Sequence, residues 1–343
     1  MDKNLKTQGF ILIDVDVVAL NNAGKNSSSN FDNAVATKRV YKNGRSYVYV
    51  SGQAWRYWWR ESLQKNCNWD LSPIARDKKI AFTSADPMRY ADDDIFGYMK
   101  AEKKETVTRV SPLKNSAIVS ACSVIPAENW SSMSRQEGDA VPFSKQEYSA
   151  IMKGMFSLDL SQVGVFANYN KTGFVNLSDS LKKEALENGA VEIDDPFVKD
   201  EKGEPKKLVQ LDSKVRKQRA IDTIKALKYI SGGAMQTNNM GDVTPKFIIL
   251  ASTTTGNHPF SHVVKSNGAK DDLVVLNIDG IKEILEDYKD TFEGDIFIGI
   301  RSGFMDEYKE KLLNLEKDFN NVKILSVNKA IDEYCVQLEK QVK

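Results

Sequence analysis

Residues 49–63 read YVSGQAWRYWWRESL, and the fold turns on how this stretch is taken. Ser51 precedes a run with no proline and, after Gly52, no further glycine, so it is a natural N-cap for a helix from Gly52 to about Lys65. At roughly 100° per residue, Gln53, Arg56, Arg60 and Gln64 fall within an arc of about 80°. Trp55, Trp58 and Trp59 gather on the opposite flank. The tryptophans therefore predict packing, and the file of Gln and Arg predicts donors held out toward an anion.

Working outward, GFILIDVDVVAL (Gly9 to Leu20) is rich in branched residues and predicts a strand, as does SYVYV before the helix. NNAGKNSSSNFDN between them reads as a mobile loop. Beyond Cys67 the pattern breaks into short pieces, of which ADDDIFGYMKAEKKE is the clearest helix-like one. SAIVSACSVIPA and YSAIMKGMFSLDLSQVGVF are strand-like, and DDPFVKDEKGEPKKLVQLD predicts an exposed hairpin around Gly203 and Pro205. A helix from Ser213 to Tyr229 stops at Gly232-Gly233, and KFIILAST is again a strand. The remainder alternates: strand LVVLNI, a helix to Asp290, strand IFIGI, a helix from Met305, strand VKILSV, and a helix from Asn328 to Lys340. Without its insertions the chain runs strand, helix, strand, strand, helix, strand. That is the ferredoxin-like order of RNA-recognition modules, an α+β fold.

Most catalytic readings fail on inventory. The only imidazoles are His258 and His262, in HPFSH, where Pro259 argues for a loop. Cys67, Cys122 and Cys335 are scattered, which suits a reducing cytoplasm and gives no zinc cluster. Asp92 to Asp94 read as the acidic first turn of a helix rather than a cation site. Neither phosphate-cradle glycine motif occurs, nor does a G-x-S-x-G elbow. No metal or cofactor is expected. No apolar run is long enough to span a membrane, and MDKNLKTQ leads into a strand without signal-peptide architecture.

Nucleic acid is the partner the residues favour. With 48 Lys+Arg against 47 Asp+Glu the whole chain is nearly neutral, but Lys202 to Lys228 carries nine cations against three anions. Lys214, Arg216, Lys217 and Arg219 crowd a helix start, where the dipole disfavours cations and an anionic partner would offset the penalty. Lys38 and Arg39 follow the predicted loop, and SGGAMQTNNMGD offers backbone N–H groups to a closely approaching strand.

The blocks NNAG, TKRVYKNGRSYVYVSGQAWRYWWRESL, DDDIFGYM, TRVSPLKNSAIVSA and SGGAMQ, in this order, resemble the CRISPR-associated autoregulator (DevR) family. That family supplies the backbone subunit of type I Cascade complexes, and the chain looks most like its type I-B branch. The resemblance implies a modified RNA-recognition palm (1–65, 146–189 and 213–343), a helical fingers insertion (66–145) and a thumb hairpin (190–212). It implies a non-catalytic subunit that stacks with copies of itself along CRISPR guide RNA and works with other Cascade subunits. The guide is presented to target DNA, and a recruited helicase-nuclease does the cutting. Guide contacts carried over are Lys38, Arg39, Ser51, Gln53, Arg56, Arg60, Gly232, Gly233, Ala234, Met235 and Gln236. Lys206, Lys207, Lys214, Arg216, Lys217 and Arg219 extend them to the thumb and its base. Lys103, Lys104, Arg109 and Lys114 are the candidates for target DNA. The competing expectations are a metal-independent endoribonuclease using His258 and His262, and a sequence-specific regulator, for which no helix-turn-helix is evident.

Overall fold

The computed structural model describes residues 4–27, 29, 33–77, 80–101, 106–133, 137–171, 174–268 and 272–343. Its organising element is the opening strand, Lys6–Val18. Period-two alternation sends Ile11, Ile13 and Val15 into one apolar cluster and Phe10 and Leu12 into another on the opposite face. Both faces of this strand are covered, which is why its sequence is almost continuously apolar.

The opening strand pairs antiparallel with Val141–Asp159 on one side and Phe247–Thr253 on the other. Ile118–Ser120 adds antiparallel beyond Val141–Asp159, so the neighbours run Phe247–Thr253, Lys6–Val18, Val141–Asp159, Ile118–Ser120. The sheet extends past Phe247–Thr253 through Ile296–Ile300 and Val322–Leu325, the last pair parallel. On the other side it ends in Arg45–Val50 and the edge strand Arg39–Lys42.

One face carries the helix Gly52–Cys67, together with Ser213–Lys225 and Val327–Gln341. Trp55 and Trp59 stack at 5.4 Å between centroids, and Trp59 meets Phe156 edge-on at 5.1 Å. The Trp59 indole N–H donates to the Thr223 carbonyl at 2.7 Å, so the ring is buried without an orphan donor. The other face is covered by the turn Pro259–His262 and the helices Ile278–Asp287 and Lys309–Asp318.

Several expectations are corrected. Among the described residues of ADDDIFGYMKAEKKE the helix covers Ala91–Phe96, and Tyr98–Ala101 pairs with Thr106–Arg109. Gly97 is the reason: its φ is +74°, and a Cβ there would lie 2.5 Å from the Arg109 carbonyl oxygen. Among the described residues of 66–115 the regular elements are chiefly short paired strands, including Ala75–Asp77 with Ile80–Phe82, rather than helices. NNAGKNSSSNFDN is not all loop: Asn22–Lys25 pairs with Ala34–Thr37. LVVLNI contributes Val274–Leu276 to a separate pair with Val264–Ser266, outside the main sheet.

The strand Val141–Asp159 is a single element of 19 residues. Its first half pairs with Ala127–Met133 and its second with Lys6–Val18, so a boundary at 145/146 would cut a continuous strand. Val191–Lys199 and Pro205–Gln210 form the hairpin anticipated around Gly203. Val165–Ala167 joins them, over a small core of Phe166, Leu177, Ala185 and Val209.

Candidate nucleic-acid interface

The site is built where the opening strand ends. Val17, a β-branched residue, has φ of +47° within a bulge between Val15 and Val18. Such strain persists only when surrounding contacts hold it. Here the Val17 N–H donates to Ser149 Oγ at 3.0 Å, and its carbonyl accepts from Asn239 Nδ2 at 2.6 Å. After the bulge the chain crosses to three other segments. The Leu20 carbonyl accepts from the Ala234 N–H at 3.0 Å, and the Asn21 carbonyl accepts from the Lys38 N–H at 3.0 Å. Asn21 Oδ1 accepts from the Ser51 N–H at 2.9 Å.

Ser51 in turn caps the tryptophan helix, its Oγ accepting from the Ala54 N–H at 3.3 Å. Gln53 is exposed beside it, and Lys38 and Arg39 are half-buried. The glycine-rich loop closes the fourth side. A Cβ on Gly232 would lie 2.2 Å from the Trp58 ring, so only glycine lets the loop press onto the tryptophan helix. Gln236 Nε2 donates to the Gly232 carbonyl and to the Gly241 carbonyl, tying the loop's two ends. Lys38, Arg39, Ser51, Gln53 and Gly232 to Gln236 are thus brought together around Asn21, a residue the sequence reading passed over. Its signal was only the tetrapeptide NNAG at a strand exit. A helix N-terminus, two cations and a loop of backbone amides in one place can hold an anion such as a phosphate.

The remaining arginines require correction. Arg56 donates to the carbonyls of Leu113 (2.8 Å) and Phe96 (2.7 Å), to Asn115 Oδ1 (3.0 Å) and to Ser111 Oγ (2.9 Å). Burial, with help from the charge of Arg60, pushes its pKa down to about 10. Its donors are engaged inside, binding the tryptophan helix to residues 96–115. Arg60 stacks on Phe96 at 4.1 Å, with Asp92 3.9 Å away, and keeps 30% side-chain exposure at the rim.

Arg109, Arg216 and Arg219 are buried, which removes them from any nucleic-acid surface. Asp94 takes Arg109 on one oxygen and Arg219 on the other at 2.8 Å, and accepts from the Gly164 N–H at 2.9 Å. Arg216 donates to the Val163 carbonyl at 2.8 Å. The two arginines at this helix start are therefore offset by an internal carboxylate and carbonyls, not by a partner. Asp92 to Asp94 do stand in the first turn of the helix Ala91–Phe96, and beyond that reading all three are buried and Asp94 is an ion-pair hub. Among the thumb and thumb-base lysines, Lys206 lies over the Tyr169 ring at 4.8 Å and Lys207 pairs with Asp194. Lys214 is exposed and Lys217 half-buried. Lys114 is exposed on Leu113–Asn115, and Lys103 and Lys104 lie outside the described residues.

His258 Nε2 is 2.9 Å from the Gly9 carbonyl and 3.2 Å from that of Phe156, and burial lowers its pKa. Its ring braces the sheet, while His262 is exposed. Among the described residues no three His, Cys, Asp or Glu side chains gather to hold a metal ion. None of their helices is long and apolar enough to cross a membrane.

A family model described as CRISPR-associated negative auto-regulator DevR/Csa2 matches residues 11–273. No curated protein matches in sequence. Among solved structures, a chain of a "CRISPR RNA-guided surveillance complex, pre-nicking" superposes with a TM-score of 0.57 at 10% identity, covering 97% of this chain and all of that one. A chain of a "CRISPR RNA-guided surveillance complex" gives 0.51 at 9% identity, covering 97% of this chain and 99% of that one. At these identities the likeness is one of fold.

Proposed function

The chain belongs to the CRISPR-associated DevR/Csa2 family, and from that premise we propose that it is a non-catalytic subunit holding guide RNA in a type I (I-B) surveillance complex. The observation that carries this reading is the junction at Asn21, where the capped helix, Lys38-Arg39 and the glycine loop meet. Phosphate contacts of this kind carry no sequence preference, as a protein that must accept any guide requires. The solved chains of similar fold come from RNA-guided complexes, which agrees with the same role.

In this reading the main sheet is a ferredoxin-like palm. Support comes from the strand order Phe247–Thr253, Lys6–Val18, Val141–Asp159, Ile118–Ser120, antiparallel throughout. Residues 66–115 belong to the fingers, and 190–212 are the thumb. Copies stack along the guide beside other subunits, in the cytoplasm, and present it to target DNA for a separate helicase-nuclease. An endoribonuclease is the weaker reading, because His258 is engaged with backbone carbonyls.

The test is RNA retention. The purified chain is expected to carry or capture guide RNA at low salt. Lys38→Ala with Arg39→Ala should weaken capture severalfold and flatten its salt dependence, since each phosphate contact on a single strand contributes about 0.7 to the log–log slope. A chain that takes up no guide RNA at low salt would overturn the proposal.

A further inference from the structure

The C-terminal turn and helices cover only part of the sheet face that carries Phe10 and Leu12. Toward the edge strand the same face is partly open: Tyr47 and Tyr49 are half-buried, and Lys42 and Arg45 are exposed. Val48 and Val50 point into the core, so alternation turns Arg45, Tyr47 and Tyr49 to this outer face. Cross-strand pairing sets Lys42 opposite Arg45 and Val40 opposite Tyr47, and aligns Tyr49, Val119 and Lys153 in one row. The strip is thus two half-buried tyrosines framed by cations.

Its charge is unbalanced. Arg45 has Asp272 at 3.7 Å, yet Lys42 and Lys153 act on each other. Burial, and then the charge of Lys42, lower the Lys153 pKa. Lys153 Nζ donates to the Ser261 carbonyl at 3.2 Å, which fixes it at the border of the covered half. Two like charges beside a pair of aromatic faces form a surface that an anion with flat rings would complete. The strip also adjoins the Asn21 junction, because the Tyr49 N–H donates to the Lys38 carbonyl at 3.1 Å.

We propose that this strip is a second RNA contact, on which single-stranded RNA leaving the Asn21 junction stacks bases on Tyr47 and Tyr49 and sets phosphates against Lys42, Arg45 and Lys153. Stacking of this kind tolerates any sequence. The inference rests on the guide-RNA reading above and extends it to another face.

The experiment measures binding of a fluorescent uridine oligomer to the full chain across a salt series. Tyr47→Ala should weaken binding about tenfold, as loss of one stacked base does. Lys42→Gln should lower the salt slope by about 0.7. Both variants should keep the parent's melting temperature, and a 4-thiouridine oligomer should crosslink to Tyr47 or Tyr49. If Lys38→Ala with Arg39→Ala loses binding while Tyr47→Ala and Lys42→Gln bind as the parent does, the strip is overturned and the guide reading stands. If those two variants instead lose retention of poly-glutamate with RNA binding intact, the strip is a protein contact and the proposal falls. A parent chain that binds no RNA sinks both readings.

Discussion

Asp94 shows what a single residue can hide. In the sequence it is one of three aspartates opening a helix, and nothing local distinguishes it from its neighbours. In the fold it lies under two guanidiniums supplied from positions 109 and 219. Arg219→Ala leaves Asp94 paired with Arg109 but strips a buried donor from its other oxygen and from the Pro87 carbonyl, so it should cost about 1–3 kcal/mol, read by thermal or urea denaturation. Lys214→Ala, an exposed change on the same helix, should stay within about 0.5 kcal/mol. Helical periodicity ranked these two cations alike because it reports angle about an axis, not what lies opposite. Arg56 was misjudged for the same reason: its partners come from residues 96–115, a segment whose own path was unreadable.

Among elements, long periodic ones were legible and short ones were not. The tryptophan helix, the strands Lys6–Val18 and Phe247–Thr253 and the helix Val327–Gln341 announce themselves by repeated apolar spacing. The pieces between 67 and 115 are too short to show a period, and one glycine with positive φ diverts the clearest of them. The glycine-rich loop was found by composition, but its reason is steric. Gly232→Ala must push the loop off Trp58, so RNA capture should drop severalfold together with a loss of stability of about 1–3 kcal/mol. The Val17 bulge makes the opposite prediction. Glycine there relieves left-handed strain at an exposed position, so Val17→Gly should leave the melting temperature equal or raised.

For the molecule as a whole, the acid response is shared by several carboxylates held below their ordinary pKa, among them Glu147, Asp242 and, in the hairpin Val191–Gln210, Asp195. Burial pushes the Asp195 carboxyl up, but the Lys171 ammonium and Tyr169 hydroxyl that it accepts from outweigh this, and its pKa lies below the usual 3.8. A depressed folded pKa means that its stabilisation is fully present above 3.8 and is lost as pH falls through the lower value. Hydrogen exchange in the hairpin should therefore accelerate below about pH 4, and less steeply in Asp195→Asn.

The Asp94 hub also has a history in time. Arg219 follows Asp94 by 125 residues, so a ribosome working at about 5–20 residues per second leaves that carboxylate waiting roughly 6 to 25 s for its second partner. Through that interval the segment 66–115 can be sheltered only by what has already emerged. Slow codons between positions 164 and 219 would prolong that exposure without altering one residue of the finished protein.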